Sequence, residues 1–249
     1  MEDEGDVTDL VTSALREAGF EVSVSSDGQD AYNRIVDELP DVVVTDTSLP
    51  GLDGYELCAR LRDHPKAKGI CIIMMTTIGV PEDRVAGLRA GADDFIAKPF
   101  RSDELVERIR EALVHSQEIA AVPAPPQAEE KTQLSVLVVD DDAIMREVLR
   151  IYFEEAGFMV LEAQNGVLGF HLAVHHQPDF IVLDFKMPEL DGKHAAELIQ
   201  ESVPNGRIVA LSAYLDSKPT WAETWMPKHE IKELPKMLKD MAKKGVPKA

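Results

Sequence analysis

The sequence is poor in cysteine and has no long apolar run. Of its 249 residues only Cys58 and Cys71 are cysteines, and both lie in apolar segments. Such cysteines are typical of buried free thiols in a reducing compartment, so we expect a cytoplasmic protein. No apolar run approaches the length of a membrane span, and the first residues are acidic rather than basic followed by apolar. We therefore expect neither a membrane partner nor a signal peptide.

Basic residues are also scarce relative to acidic ones. The chain has 26 Lys and Arg against 45 Asp and Glu, which gives a formal net charge of −19. Nucleic acid and anionic membranes repel such a surface, so neither is expected as the main partner. Cations, or proteins that present a basic patch, fit this charge better.

The sequence contains an internal repeat with a constant offset. Gly19-Phe20 aligns with Gly157-Phe158, and Asp53-Gly54 aligns with Asp191-Gly192, an offset of 138 (157 − 19) in both cases. One offset held across many unlike residues indicates a tandem duplication of a domain of ordinary size. The predicted organisation is copy one (1–115), a Pro/Ala-rich linker (116–133), copy two (134–244) and a tail (245–249).

Within each copy, short apolar runs alternate with helical patterns. The runs at 41–46, 70–76, 135–140 and 180–185 are rich in branched residues and nearly continuous, as in strands buried on both faces. Strand–helix alternation of this kind predicts a parallel sheet with helices on both faces.

Polar residues recur where the predicted strands end. Copy two offers Asp140, Asp141, Asp184, Ser212 and Lys228, and ligands of open parallel sheets bind at that edge. Carboxylates that converge in one cleft repel each other unless a cation lies among them, and oxygen ligands favour Mg²⁺. A carboxylate beside Mg²⁺ can attack phosphorus and form an acyl phosphate. An isolated Asp after a strand is often only a helix N-cap, but here the same positions recur in order twice.

These motifs resemble the CheY-like receiver domain of two-component response regulators. Copy two carries VLVVDDD, LDFKMPELDG, LSA and PK, and copy one carries EDE, TDTSLPGLDG, MTT and AKPF. The resemblance implies a flavodoxin-like, doubly wound α/β fold in each copy, with a parallel five-stranded sheet in the order 2-1-3-4-5. It also implies transfer of a phosphoryl group to aspartate, with Mg²⁺, from the phosphohistidine of a histidine kinase or a histidine phosphotransfer protein.

The resemblance also implies roles for individual residues. The phosphoacceptors are Asp184 and Asp46. The Mg²⁺ ligands are Asp140, Asp141 and the Lys186 backbone carbonyl in copy two, and Glu2, Asp3 and the Ser48 backbone carbonyl in copy one. The residues that stabilise the phosphoryl group or switch with it are Ser212, Lys228 and Trp225 in copy two, and Thr76, Lys98 and Phe95 in copy one.

Copy one lacks residues for its first strand. By the offset, residues 134–139 have only Met1 as a counterpart, since 1 + 138 = 139. Burial of four or five apolar side chains contributes on the order of 6–15 kcal/mol, as much as the stability of a whole domain. Either the start is placed too late, or copy one is degenerate, with Glu2 and Asp3 on a frayed end. The presence of Asp46 and Lys98 favours the first explanation.

Copy two departs from the family pattern after its fourth strand. Ser212 and Lys228 are 16 residues apart (228 − 212), against 22 (98 − 76) for Thr76 and Lys98. The fourth helix is therefore expected to be short or irregular, and Pro219 limits it further. His229 follows the lysine, so the cis Lys-Pro bond implied by the family is absent here.

Two groups of side chains in copy two can be interpreted either as ordinary surface residues or as functional sites. The spacing of the lysines predicted on the last helix places them on one face; they are Lys232, Lys236, Lys239 and Lys243. We interpret this face as solvated. The alternative is that it docks an acidic partner, such as copy one. His171 and His175 have the i, i+4 spacing of a metal pair, beside His176, but no third ligand is evident. We interpret these histidines as surface residues of a helix.

Three functional hypotheses follow. The leading one is a phosphoacceptor with two receivers and no output domain, because only one helix follows Lys228. Such a protein would signal through protein contacts, which include contact between the two receivers or within a homodimer. No turnover of an external substrate is expected of it. The second is a non-phosphorylated pseudo-receiver scaffold in one or both copies, with copy one the better candidate. The third, an aspartate-nucleophile phosphatase, ranks low because neither Asp46 nor Asp184 has a second acid two residues on.

Overall fold

The repeat in the sequence reappears as two α/β units. The computed structural model describes residues 4–77, 81–121, 133–188, 190–213 and 217–244. The chain divides into residues 1–120 and 121–249, a boundary that falls inside the predicted linker. Among the described residues, no helix combines the length and the apolar character that a membrane crossing needs.

Copy two is a complete doubly wound sheet. Its elements are β4 (Ser135–Val139), α6 (Ala143–Glu155), β5 (Met159–Ala163), α7 (Gly166–His176), β6 (Phe180–Asp184), α8 (Gly192–Ser202), β7 (Arg207–Ser212), β8 (Thr224–Pro227), a 3₁₀ helix (Lys228–Glu233) and α9 (Leu234–Lys243). The strands are all parallel and lie in the order β5-β4-β6-β7-β8, which is the predicted order 2-1-3-4-5. β4 and β6 are buried at every position, which explains their unbroken apolar sequences.

Copy one has the same alternation with fewer strands. Its elements are α1 (Glu4–Glu17), α2 (Gly28–Glu38), β1 (Val42–Asp46), α3 (Gly54–Asp63), β2 (Cys71–Thr77), α4 (Pro81–Ala90), β3 (Asp94–Lys98) and α5 (Ser102–Ala121). The sheet of the described residues is β1-β2-β3, all parallel. The α/β class is confirmed, and the equivalents of the last three strands of copy two are in place.

The second strand expected in copy one is not formed. Residues 21–25 align with β5 through the offset of 138, but no strand is assigned to them. The reason is visible in copy two, where β5 pairs only with β4. Among the described residues of copy one there is no counterpart of β4 with which segment 21–25 could pair.

The predicted linker begins too early. α5 continues to Ala121, so residues 116–121 are helical, and the sequence SQEIAA contains several good helix formers. The first proline after the start of α5 is Pro123, and proline cannot continue a helix. The rest of the linker, to residue 132, lies outside the described residues.

A packed irregular segment replaces the fourth helix of copy two. No helix is assigned to residue 213 or to residues 217–223, and Trp221 and Ala222 within it are buried. The Gln200 side chain donates to the Trp221 carbonyl at 2.7 Å, and the Arg207 guanidinium pairs with the Glu223 carboxylate. The described residues 217–223 of this connection are therefore tied to α8 and β7.

The four lysines near the end of copy two are exposed, but they do not all lie on the last helix. Lys236, Lys239 and Lys243 belong to α9, whereas Lys232 lies in the preceding 3₁₀ helix. Two have partners in copy two itself: the Lys243 ammonium lies 3.2 Å from Asp240, and that of Lys239 lies 5.9 Å from the centre of the Phe158 ring.

Close packing at the start of α3 gives a test of the fold. A Cβ added at Gly54 would lie 2.0 Å from the Asp46 carbonyl oxygen, so the turn after β1 accepts no side chain there. We expect Gly54→Ala to lower the free energy of unfolding by about 1–3 kcal/mol, measured by urea unfolding followed by circular dichroism. The control is Gly69→Ala in the same copy, where a Cβ meets no atom within 4 Å. Equal stability of the two variants would contradict this packing.

Candidate functional site

Three acids of copy two meet at the carboxyl edge of the sheet. Asp140 follows β4 and Asp184 ends β6; both are buried, whereas Asp141 is exposed. One carboxylate oxygen from each lies within 4.8 Å of the others. Among the described residues, this is the one group of ligand-type side chains so arranged.

The third acid of the DDD run has a different task. The Asp142 carboxylate caps α6 by accepting the backbone N–H groups of Ile144 and Met145 at 2.9 and 3.3 Å. Its own N–H donates to Asp140 Oδ1 at 3.0 Å, which fixes the buried carboxylate. The run therefore combines ligand-type acids with the N-cap role that an isolated Asp often has.

Lys228 and Ser212 come from the neighbouring strands. The Lys228 ammonium lies 2.8 Å from Asp140 Oδ2 and 3.0 Å from Asp184 Oδ2. Ser212 is buried at the end of β7, where it pairs in register with Pro227 of β8. The ends of four adjacent strands thus supply the acids, the hydroxyl and the ammonium.

The crowded charges shift the pKa values of the site. Burial and, after it, the charge of Asp140 raise the pKa of Asp184 to about 6, against the opposing effect of Lys228. Burial disfavours the charge on Lys228, but the two carboxylates outweigh this effect and raise its pKa. One ammonium faces three carboxylates, so the site carries an uncompensated negative charge.

The residues present fit a divalent cation. Asp140 Oδ2 is buried without a well-formed hydrogen bond, since the nearby Lys228 ammonium reaches it as an ion pair only. An oxygen in this state, beside two further carboxylates, is suited to a hard cation such as Mg²⁺. The backbone of Lys186, the remaining predicted ligand, lies two residues past Asp184 in the exposed loop before α8.

Arg146 contacts the backbone of the acid pair, a role that the sequence analysis did not predict. Its guanidinium donates to the backbone carbonyls of Asp140 and Asp141 at 2.8 and 3.3 Å. The residue sits in the second turn of α6, and its long side chain folds back to the preceding loop. Sequence spacing does not show such a return, because an exposed helical arginine has many conformations.

Copy one assembles part of the same site. Asp46 ends β1 and contacts the ammonium of Lys98, which ends β3, and Asp46 Oδ1 accepts the Ser48 backbone N–H at 3.2 Å. Thr76 is buried in β2. The Asp46 side chain is 27% exposed, against 7% for Asp184. The predicted ligands Glu2 and Asp3 lie outside the described residues.

The aromatic residues before the two lysines have different surroundings. Phe95 is buried, with the Arg84 guanidinium 4.6 Å from its ring centre. Trp225 in β8 is half-buried. A second tryptophan, Trp221, stacks on Phe185, the residue after the acceptor, with ring centres 6.2 Å apart and planes 3° apart. This contact was not predicted because the irregular segment has no periodicity to read.

The interpretation of all three histidines as surface residues is wrong for His176. His176 is buried and its Nε2 has no hydrogen-bond partner; burial and the neighbouring His175 lower its pKa. The helix α7 is apolar on most of its surface, so the last turn also faces the core.

Comparison with known proteins gives one family for both copies. The model for the response regulator receiver domain matches residues 1–110 and 136–224. The chain is 42% identical over 113 residues to the phosphate regulon transcriptional regulatory protein PhoB of Rhizobium meliloti, covering 45% of the chain and 50% of PhoB. It is also 42% identical over 129 residues to the transcriptional regulatory protein TcrA of Mycobacterium tuberculosis, covering 52% and 49%. The chain thus spans about half the length of these relatives.

Solved structures match at the level of one copy. The receiver domain of NtrX from Brucella abortus is 34% identical, with 45% of this chain and 94% of that chain covered and a TM-score of 0.42. The receiver domain of the sensor histidine kinase PA1611 from Pseudomonas aeruginosa, with a magnesium ion in its active site cleft, is 29% identical, with 46% and 93% covered and a TM-score of 0.42.

The raised pKa of Asp184 predicts how the metal-free protein responds to pH. The folded-state pKa of Asp184, about 6, lies above the ordinary value of 3.8. The contribution of this carboxyl group to folding stability is therefore fully present below pH 3.8 and is lost as the pH rises through 6. We expect Asp184→Asn to raise the free energy of unfolding near neutral pH, in chelator, by on the order of 2 kcal/mol, and the gain to vanish toward pH 4.

Urea unfolding followed by tryptophan fluorescence measures this effect, because both tryptophans lie in copy two. Asp46→Asn is the matched control and is expected to leave that transition unchanged. A destabilised Asp184→Asn variant at neutral pH would show that the carboxylate is not under electrostatic strain.

Proposed function

Because this chain belongs to the response regulator receiver family, with two receiver domains, we propose that it accepts phosphoryl groups from phosphohistidine onto aspartate, with Asp184 of copy two as the main acceptor. The observation that carries the proposal is the convergence of Asp184, Asp140, Asp141 and Lys228 at one sheet edge. The same edge in copy one holds Asp46 and Lys98.

The chemistry of the proposed step follows from the charges. An Asp184 oxygen attacks phosphorus, the P–N bond to the imidazole of the donor breaks, and the imidazole keeps that electron pair. With a pKa of about 6, Asp184 is mostly ionised at neutral pH and is therefore a competent nucleophile. The Lys228 ammonium lies 3.0 Å from Asp184 Oδ2 and would pair with the negatively charged phosphoryl oxygens. The Ser212 hydroxyl would donate a second hydrogen bond to these oxygens.

The donor set also accounts for a metal requirement. Asp140, Asp141, Asp184 and the Lys186 carbonyl would hold Mg²⁺, which neutralises the acids and the transferred phosphoryl oxygens. Arg146 keeps the acid pair in place through its backbone carbonyls. Without a cation, the carboxylates would repel the incoming anionic phosphoryl group.

The two copies differ in what they offer to this reaction. In copy two the acceptor is buried, beside two further acids and the lysine. In copy one the acceptor is more exposed, and its acid partners are not among the described residues. We propose that copy two is the active receiver; the alternative, a non-phosphorylated pseudo-receiver scaffold, applies to copy one first.

Output by this chain is proposed to run through protein contacts in the cytoplasm. Relatives PhoB and TcrA are described as transcriptional regulatory proteins, but the chain covers only about half of each. The described residues after Lys228 form a 3₁₀ helix and α9, which belong to copy two itself. A phosphoryl group adds about −2 charge at the site, enough to rearrange a neighbouring loop, and no external substrate turnover is needed for this output.

Phosphorylation by a small donor tests the proposal directly. The full chain is incubated with acetyl phosphate and Mg²⁺ and analysed by intact mass. We expect one phosphoryl group on the wild type, none on copy two in Asp184→Asn, and unchanged labelling of Asp184 in Asp46→Asn. Omission of Mg²⁺ should reduce labelling at least about tenfold, because the carboxylates are then not neutralised.

Tryptophan fluorescence gives a second readout of the same step. Trp221 stacks on Phe185 next to the acceptor, so phosphorylation of Asp184 should change the emission, and Asp184→Asn should not respond. Labelling that persists in Asp184→Asn and disappears in Asp46→Asn would assign the activity to copy one and overturn the proposed order. No labelling in any variant would support the scaffold alternative.

A further inference from the structure

One aromatic contact of copy two lies directly beside the acceptor. The rings of Trp221 and Phe185 are stacked, with their centres 6.2 Å apart and their planes 3° apart. This nearly parallel arrangement falls in the distance range at which aromatic pairs attract each other. Phe185 also separates Asp184 from Lys186, whose backbone carbonyl is the remaining candidate ligand for the cation. The stack therefore acts on the residue that joins the acceptor to a ligand.

Two hydrogen bonds hold the backbone of Phe185 independently of the stack. Its N–H donates to the Leu211 carbonyl of β7 at 3.0 Å. Its carbonyl accepts from the N–H of Gly192, the first residue of α8, at 3.2 Å. Any residue at position 185 could make these bonds, because they use only the backbone.

Copy one has the two backbone bonds without the stack. Thr47 is the counterpart of Phe185 by the offset of 138; its N–H donates to the Met75 carbonyl at 3.4 Å, and its carbonyl accepts from Gly54 at 3.0 Å. Threonine has no ring, and the regular helix α4 lies between β2 and β3 of this copy. The ring after the acceptor thus occurs in the copy whose fourth helix is replaced by an irregular segment.

Trp221 is anchored to two neighbouring elements. The residue is buried, and its carbonyl accepts from the Gln200 side chain of α8 at 2.7 Å. Two residues further on, the Glu223 N–H donates to the Ile208 carbonyl of β7 at 2.8 Å, and the Glu223 carboxylate pairs with Arg207. An indole anchored in this way is a rigid surface for the ring that stacks on it.

The acceptor beside the stack is also the more enclosed of the two. The Asp184 side chain is 7% exposed, against 27% for Asp46. Contacts that orient the ligands of a metal from outside often matter for affinity nearly as much as the ligands themselves. A stack that holds the residue after Asp184 is such a contact for the acid cluster.

We propose that Trp221 is a positioning residue of the copy two site: through its stack on Phe185 it holds the chain that carries Asp184 and the Lys186 carbonyl in the orientation that binds a divalent cation. The inference rests on the proposed function, because it assigns a partner to the same site. The alternative is that Trp221 only fills the volume of the missing fourth helix. A residue that only fills volume supports the fold and leaves cation affinity unchanged.

Binding of Mg²⁺ to the full chain separates the two alternatives. Affinity is measured by isothermal titration calorimetry in an Asp46→Asn background, which removes the acceptor of copy one. We expect Trp221→Leu to raise the Kd for Mg²⁺ about tenfold, the usual effect of losing an outer contact to a metal ligand. Trp221→Phe keeps a ring at this position and is expected to retain most of the affinity.

Phe158→Leu is the matched control in copy two. Phe158 is a buried aromatic residue that contacts Phe153 and Phe180 edge to face. It directly precedes β5 and therefore lies at the amino edge of the sheet, opposite the acid cluster. This variant also loses a packed ring, but its affinity for Mg²⁺ should equal that of the parent chain.

A double-mutant cycle connects the effect to the stack itself. Phe185→Leu is measured alone and together with Trp221→Leu. If the two rings act through each other, the double variant loses no more Mg²⁺ affinity than either single variant. Additive losses would contradict a shared role and would overturn the proposal.

Hydrogen exchange in chelator gives a readout that needs no cation. It is measured at the amides of Phe185 and Gly192, the donors of the two backbone bonds, relative to the amides of β4, which report on copy two as a whole. We expect this relative exchange to be roughly two- to tenfold faster in Trp221→Leu, in line with the strength of an aromatic pair, and unchanged in Phe158→Leu.

The outcomes distinguish this proposal from the proposed function. Equal Mg²⁺ affinity of Trp221→Leu and the parent chain would overturn the positioning role, and so would an equal loss in Phe158→Leu, since general loosening would then explain both. A parent chain that binds no Mg²⁺ would count against the proposed function. In that case, unchanged relative exchange in Trp221→Leu would show that the stack does not hold the chain after Asp184 either.

Discussion

A strand in the interior of a parallel sheet bonds to a neighbour on each side, and both copies of this chain depend on that requirement. In copy two, β4 holds β5 on one side and β6 on the other, and it is buried throughout. Asp140 and Asp141 directly follow this interior strand at the carboxyl edge of the sheet. Folding and chemistry are therefore linked through one segment of five residues. Where its counterpart is not among the described residues, the adjacent segment loses its pairing and the acceptor strand becomes an edge.

In copy two, the same burial shapes the electrostatics of the acid cluster at the sheet edge. A carboxylate kept from water between another acid and an ammonium has a raised pKa and an unfavourable charge balance. In the proposed function, a bound cation and the transferred phosphoryl group would relieve this cost. The backbone contacts from Arg146 and Asp142 limit relaxation of the acids in the free protein. The site is thus organised before its ligands arrive.

Much of this could be predicted from the sequence because it depends on periodicity and position. The duplication and the α/β class follow from the constant offset and the apolar runs, whereas the strand order of copy two was implied by the resemblance to the receiver family. The offset of 138 also relates local backbone features: Leu39 and Gln177 end equivalent helices, and both have a left-handed backbone conformation. What could not be predicted depends on three-dimensional contacts. The stack of Trp221 on Phe185, the return of Arg146 and the burial of His176 have no sequence period, and the loss of strand 21–25 results from a missing partner.

Among the described residues of copy one, β1 pairs on one side only, and this bears on how the chain behaves in concentrated solution. An unpaired strand edge is a template for association with other chains, and folded proteins commonly protect such edges with charge. Here the edge contains only the charge of Asp46, but copy one is otherwise rich in acids within a chain of net charge −19. Long-range repulsion between molecules then acts as the colloidal barrier that the edge itself does not supply. This barrier is screened by salt, so we expect association of the chain to increase with ionic strength.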